Sequence, residues 1–263
     1  MVLQHSVQTT LNCLSAVRRY HLSSQIELPT PSSNFQLREA IRGARRYLSR
    51  PTIQKLPMYP SLLSALVGGT AWGSPMRCLY LTLWFTFSRL ASVIPTDPNS
   101  NFCRDAHLSW ADIVFYPSSV RIILSKTKTI QCRERSLQFL IPAHPNQSIC
   151  LLTQLKSLFL QTPFKAPSDP VFVSCQSGVW SPLSRRSADP VFKAALATLG
   201  VNPTSFGWSS FRRGGATTGF IATQDVESLR EHGDWKSNAY MRYLALPADK
   251  RTLLVKALQN SLL

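Results

Sequence analysis

The stretch "MRCLYLTLWFTFSRLASVI", residues 76 to 94, constrains the fold most. Its longest apolar run, Leu79 to Phe87, is broken only by Thr82 and Thr86, and Ser88 and Arg89 follow it. A bilayer span needs roughly 20 apolar residues, so this run is too short to cross one. The stretch is predicted as a long helix, stopped by Pro95 and buried in a globular core. That burial raises a question about Arg89. A guanidinium in apolar surroundings must find an anion or a set of acceptors, because an unpaired buried charge is costly. The alternative is a surface arginine that snorkels to water.

The rest of the chain suits such a core. It has 263 residues, enough for one large or two modest domains, and 44% hydrophobic residues, which excludes global disorder. Against 29 Lys and Arg stand 13 Asp and Glu, a net charge of +16. An excess of that size points to a polyanion, nucleic acid before membrane; a generally basic, solvated surface is the plainer reading. The six cysteines, Cys13, Cys78, Cys103, Cys132, Cys150 and Cys175, show no C-x-x-C spacing, so no metal site is expected and the thiols read as reduced. The chain carries no P-loop, no Gly-rich dinucleotide turn, no HExxH and no GxSxG. With so few acids, a two-metal nuclease is poorly supported. The N-terminus has no acid before Glu27 and carries Arg18, Arg19 and His21, a pattern shared by organellar presequences and basic DNA-facing arms.

Along the chain, Phe35, Leu37, Ile41 and Leu48 recur at helical spacing among Arg38, Arg42, Arg45 and Arg46, with Asn34 as the N-cap. "RPTIQKLPMYP" reads as a linker, placing a boundary between residues 1–56 and 57–263. A short helix over 60–69 precedes the apolar one. Candidate strands are Ile113 to Tyr116, Val120 to Leu124 and Leu137 to Ile141, forming a small antiparallel sheet with "SKTKTIQCRER" as a basic loop between the second and third. "PVFVS" (170 to 174) is a further short strand. Helices are predicted over 149–162 and 187–200, then in the segments 209–220, 223–233, 235–244 and 246–263. The fold class is thus mainly α with a small antiparallel β-sheet.

"SSFRRGGATTGF", Ser209 to Phe220, sets two arginines against two glycines. Adjacent residues cannot share one helix face, so Arg212 is expected to point inward and Arg213 outward. Gly214 and Gly215 remove bulk and admit the close approach of a nucleic-acid backbone or a neighbouring helix. Two guanidinium groups converging on one phosphodiester could neutralise the charge that builds up under attack. Tyr240 and Tyr243 are the available nucleophiles.

The order of an arginine, a hairpin lysine, "SSFRRGGAT" at 209 to 217 and "HGDWKSNAYMRY" at 232 to 243 resembles the tyrosine recombinases. The nearest pattern is that of integrase-like recombinases from crypton and DIRS-type mobile elements, which reads HSFRRGGAT and then GDWKSDAYxRY. The resemblance covers about residues 57 to 263. It implies the catalytic-domain fold of that family, preceded by a partial helical core-binding domain that clamps DNA. It implies double-stranded DNA as partner, a nuclear location or wherever the element's DNA resides, and no metal or other cofactor. It also implies a homo-tetramer that trades the C-terminal helix, "TLLVKALQNSLL". Carried over by position, Arg89 and Arg212 are the catalytic arginines. Lys128 is the hairpin general acid, with Lys126 competing. Tyr243 is the nucleophile that forms a 3′-phosphotyrosyl bond. Trp235 lies near the family's His or Trp position, although strict spacing from Tyr243 selects Asp234. Lys126, Arg133, Arg135, Arg213, Lys236 and Arg242 are the expected DNA contacts.

Two positions depart from the pattern. Ser209 stands where the family has the histidine of His-x-x-Arg, and serine is a poor base near neutral pH. Ser92 stands where an acid orients the first arginine. His232 lies near the segment but off the family spacing. Three readings follow: an active recombinase, a degenerate or domesticated fold that grips DNA without cutting, and a basic RNA-binding or organellar protein.

Overall fold

The computed structural model describes residues 7–26, 30, 33–48, 54–96, 101–130 and 134–245, together with Thr252, Lys256 and Gln259. The chain forms two compact units, Met1–Gln54 and Lys55–Leu263. The first contains α1 (Val7–Ser23) and α2 (Phe35–Leu48). The side chain of Asn34 accepts the Leu37 amide at 2.9 Å, capping α2 as its sequence suggests. Arg38, Arg42 and Arg45 line a cavity beside Leu11 and Ile41.

The second unit is organised around α4 (Pro75–Thr86), which follows α3 (Pro60–Gly68). Ser74 caps α4 through the Arg77 amide, and Pro75 supplies a preset first-turn φ. Nearly every α4 side chain is buried. Tyr80 stacks on Phe211 of α7 (Ser209–Thr223) at 5.4 Å and 9°. Phe192, from α6 (Arg185–Thr198), and Trp208 complete the aromatic cluster. The core also takes in α5 (Leu151–Gln161) and the buried face of a three-stranded antiparallel sheet. That sheet runs β1 (Ile113–Phe115), β2 (Ser119–Leu124), β3 (Leu137–Pro142). Alternation along β2 buries Val120, Ile122 and Leu124, and Ile122 faces Phe139 of β3. A second hairpin pairs β4 (Val173–Gln176) with β5 (Val179–Pro182). After α7 come α8 (Val226–His232) and a 3₁₀ turn, Asn238–Arg242.

Four expectations change. The helix expected over 76–94 stops at Thr86: Phe87 turns left-handed (φ 49°), Arg89 is extended, and a 3₁₀ turn, Leu90–Ser92, follows. At the break the Thr86 hydroxyl donates back to the Thr82 carbonyl at 2.7 Å and lies 2.6 Å from the Ser88 hydroxyl. The strand expected over 170–174 begins at Val173; before it the Val171 amide donates to the Leu108 carbonyl at 3.2 Å and the Phe172 carbonyl accepts the Leu183 amide at 2.8 Å, outside the β4–β5 ladder. The segment over 235–244 contains only a 3₁₀ turn. The linker is not free beyond Gln54. Leu56 and Met58 donate backbone hydrogen bonds to the carbonyls of Ser205 and Ser210, both at 2.8 Å, and Met58 is fully buried. The expected C-terminal helix lies largely outside the described residues.

The glycine doublet explains how that segment packs. A Cβ on Gly214 would sit 1.9 Å from the Met58 carbonyl oxygen; one on Gly215 would sit 2.4 Å from that of Trp84. Both glycines therefore let α7 press against protein backbone, the neighbouring-segment reading rather than the nucleic-acid one.

Candidate functional site

The end of α4, the stretch after β2, α7 and the residues after α8 meet at a narrow cleft. Arg89, Ser92, Thr127, Thr129, Arg212, His232 and Asp234 line it. Its free volume is about 20 Å³, room for one water-sized atom rather than a whole anion.

Arg212 is 6% exposed, the inward arginine of its pair. Its Nη1 donates to the Phe87 carbonyl at 2.6 Å and its Nη2 to the Gly233 carbonyl at 2.8 Å. The guanidinium carbon lies 4.5 Å from the Trp235 ring centre and 4.8 Å from that of Tyr243. Among the described residues, two carbonyls and two aromatic faces thus fix the group, no carboxylate pairs with it, and its buried Nε lacks a hydrogen bond. Burial and then the nearby Arg89 charge push the Arg212 pKa down to about 10, while Tyr243 and Asp234 oppose that shift. The group stays cationic at neutral pH. Two like charges at one cleft are relieved by an anion between them.

Arg89 reaches the cleft because α4 has already ended; its backbone is extended (φ −82°, ψ 145°) and it is half-buried. Among the described residues it makes no ion pair. Ser92, buried, lines the same cleft two residues into the 3₁₀ turn. Lys126 and Lys128 are both exposed, whereas the alternating Thr127 and Thr129 face the cleft. Thr127 accepts the Thr129 and Ile130 amides, both at 3.2 Å, which folds this stretch on itself. The Thr129 hydroxyl also donates to the Asp234 carboxylate. Arg135 donates to the other oxygen of that carboxylate at 2.5 Å. Asp234 so ties both ends of the lysine-bearing loop to the Arg212 side of the site.

Of the two tyrosines, Tyr240 belongs to a small buried cluster with Phe87, Ala216, Leu229 and Trp235. Tyr243 is half-buried, its ring against Arg212 and 5.4 Å from Trp235. The backbone holds it there: its amide donates to the Tyr240 carbonyl at 2.8 Å, and its carbonyl accepts from Thr217 at 3.3 Å. Trp235 is 6% exposed and acts as the floor under both groups.

The remaining expected positions divide. Arg213 is half-buried and donates to the Arg242 carbonyl at 2.7 Å; Arg242 and Lys236 are exposed. Arg135 is engaged with Asp234, so part of its charge is already matched within the chain. Arg133 lies outside the described residues. Ser209 is exposed at the first position of α7.

Sequence spacing set His232 aside, yet it lines the cleft. Its Nε2 lies 2.7 Å from the Phe85 carbonyl, and its ring packs edge-on against Phe87 at 4.5 Å and Phe139 at 5.1 Å. Asp234 was visible only as a spacing alternative to Trp235. The signal for both was the "HGD" before Trp235: Gly233 ends α8 and Asp234 turns left-handed (φ 52°), swinging the chain across the cleft.

Among the described residues no group of three His, Cys, Asp or Glu could hold a metal ion, and no helix is long and apolar enough to cross a membrane. No protein-family model and no curated protein matches the chain. Solved structures do match. The Tn1549 transposon integrase (residues 82–397), in complex with circular intermediate DNA, superposes with a TM-score of 0.57 at 14% identity, covering 96% of this chain and 80% of that one. XerA recombinase gives 0.53 at 12% identity, over 97% and 83%. XerH site-specific recombinase, bound to palindromic difH substrate in a post-cleavage complex, gives 0.55 at 15% identity, over 88% and 66%. The chain has the fold of tyrosine recombinase catalytic domains.

Proposed function

We propose that this fold binds double-stranded DNA and breaks and rejoins it through Tyr243. The observation that carries the reading is the junction of Arg89 and Arg212 at one cleft with the Tyr243 ring held on the Arg212 guanidinium. The net charge of +16 and the DNA bound by the similar integrase and recombinase structures support the partner. In the proposed reaction the Tyr243 oxygen bonds to phosphorus while the bond to the 5′ oxygen breaks. The tyrosyl proton leaves to solvent, and Lys128 or Lys126 protonates the 5′ oxygen. The arginines stabilise the pentacoordinate charge, a service worth on the order of a hundred- to a thousand-fold in rate per donor. The motifs at 209–217 and 232–243 favour the crypton and DIRS-type branch, acting in the nucleus or wherever the element's DNA resides. Residues 1–56 would belong to the core-binding clamp.

The second reading is a DNA-binding module without cleavage, favoured by the exposed Ser209 and by Ser92 lining the cleft at the position where the resembled pattern carries an acid. One experiment separates the two. Nicked duplexes of randomised sequence, which lose the short leaving strand after cleavage, are incubated with the protein and probed for a covalent adduct. An adduct lost in Tyr243→Phe supports cleavage. Salt-sensitive binding with no adduct from any sequence leaves the module reading.

A further inference from the structure

Among the described residues His232 is the one imidazole lining the cleft, and its environment fixes what it can do. A carbonyl oxygen only accepts, so the 2.7 Å contact with Phe85 places a proton on Nε2. Nδ1 then remains; among the described residues it makes no hydrogen bond. Packing against Phe87 and Phe139 holds the ring in that orientation. The charged groups around it are unbalanced. On the cleft side stand Arg89 and Arg212 against Asp234. On the other side an open groove presents Arg135, Arg230 and Lys236 with Glu227 and Glu231. Arg135 and Asp234 neutralise one another, and Arg230 lies 3.9 Å from Glu227. The two arginines of the cleft remain as its net charge. In the free protein, burial favours the neutral imidazole and holds its pKa below the ordinary histidine value, against the opposing hydrogen bond to Phe85.

We propose that His232 is a proton-linked phosphate ligand: a DNA phosphate entering the cleft draws a proton from solvent onto Nδ1, which donates it to a phosphate oxygen between Arg89 and Arg212. The inference rests on the reading that this cleft faces DNA. The 20 Å³ of free space suits a single phosphate oxygen, with the rest of the group at the mouth. A phosphate's negative charge opposes the desolvation that keeps the ring neutral, so the bound state has the higher pKa. Binding is then tightest below the free-state pKa, and the gain is lost as pH rises through the bound-state value. Each unit of difference is worth about tenfold in affinity.

The test uses the full chain with ¹⁵N-labelled histidine and a DNA duplex of mixed sequence at low salt. The ring nitrogens of His232 are titrated from about pH 5 to 8, where imidazole changes charge, with and without saturating duplex. The expected result is a titration displaced to higher pH by DNA, with Nε2 protonated throughout. His232→Gln, compared at equal folded fraction by circular dichroism, is expected to lose most of the acid-side gain, on the order of tenfold in affinity for a displacement of one unit. A duplex that binds while the His232 titration stays put overturns the inference alone, whatever the variant does. A duplex that does not bind at all removes the DNA-binding reading and this inference with it.

Discussion

Replacing Gly214 with alanine sets two forces of opposite sign against each other. In a helix interior alanine is favoured over glycine by roughly 0.5–1 kcal/mol, so propensity alone predicts a more stable protein. The packing predicts the reverse. The new Cβ would lie 1.9 Å from the Met58 oxygen, 2.5 Å from its carbonyl carbon and 2.9 Å from its nitrogen. Nothing there is the free end of a side chain. The same backbone donates to Ser210 at 2.8 Å and accepts the Trp84 indole at 3.0 Å. Relieving the overlap means shifting the strap that carries the fully buried Met58. Losing two hydrogen bonds at about 1 kcal/mol each and part of a buried side chain worth about 1.5–3 kcal/mol outweighs the propensity gain. The net expectation is a loss of about 2–4 kcal/mol, the scale of an overpacked core. Urea unfolding followed by tryptophan fluorescence measures it, since Trp84 reports on the same contact. Gly68→Ala is the control: nothing lies within 4 Å of its Cβ, and it should be neutral or slightly stabilising. A Gly214→Ala protein at least as stable as wild type would refute the packing argument.

Arg89→Gln is expected to weaken duplex binding and to reduce the salt slope of log Kd by about one, as befits a single lost phosphate contact. Tyr243→Phe keeps the ring against Arg212 and is expected to leave the melting temperature close to wild type while abolishing any adduct; Tyr240→Ala, in the buried cluster, should instead cost about 3–5 kcal/mol of stability. Asp234→Asn removes the ion pair with Arg135 and weakens the carboxylate's hold on the Thr129 hydroxyl, the two contacts that tie the loop of Lys126 and Lys128 to Asp234. Its expected signature is faster amide exchange at Thr127 to Ile130, with the rest of the sheet unchanged.

The sequence was most legible where physics is local. The alternation in β2 and β3, the Asn34 cap and the apolar α4 could all be read from neighbouring residues. So could the opposed directions of Arg212 and Arg213, because adjacent helical positions diverge by geometry. The end of α4 was not legible. An apolar pattern continues past Phe87, whereas the chain turns left-handed there with the Phe87 ring packed on His232, a residue far along the sequence. That break is also what delivers Arg89 to the cleft. The glycine doublet announced close approach but not its object, which sits some 150 residues earlier at Met58 and 130 earlier at Trp84. His232 was hidden for the same reason. Its place is set by the Phe85 carbonyl and the Phe139 ring, neither near it in the chain.

Whether Arg89 and Arg212 hold one DNA phosphate beside Tyr243 is decided by an experimentally determined structure of the full chain on a duplex recovered from binding selection. One phosphate is expected with oxygens within about 3 Å of both guanidinium groups and the Tyr243 hydroxyl facing its phosphorus. DNA bound on another face, with no phosphate in hydrogen-bond reach of either arginine, would contradict it.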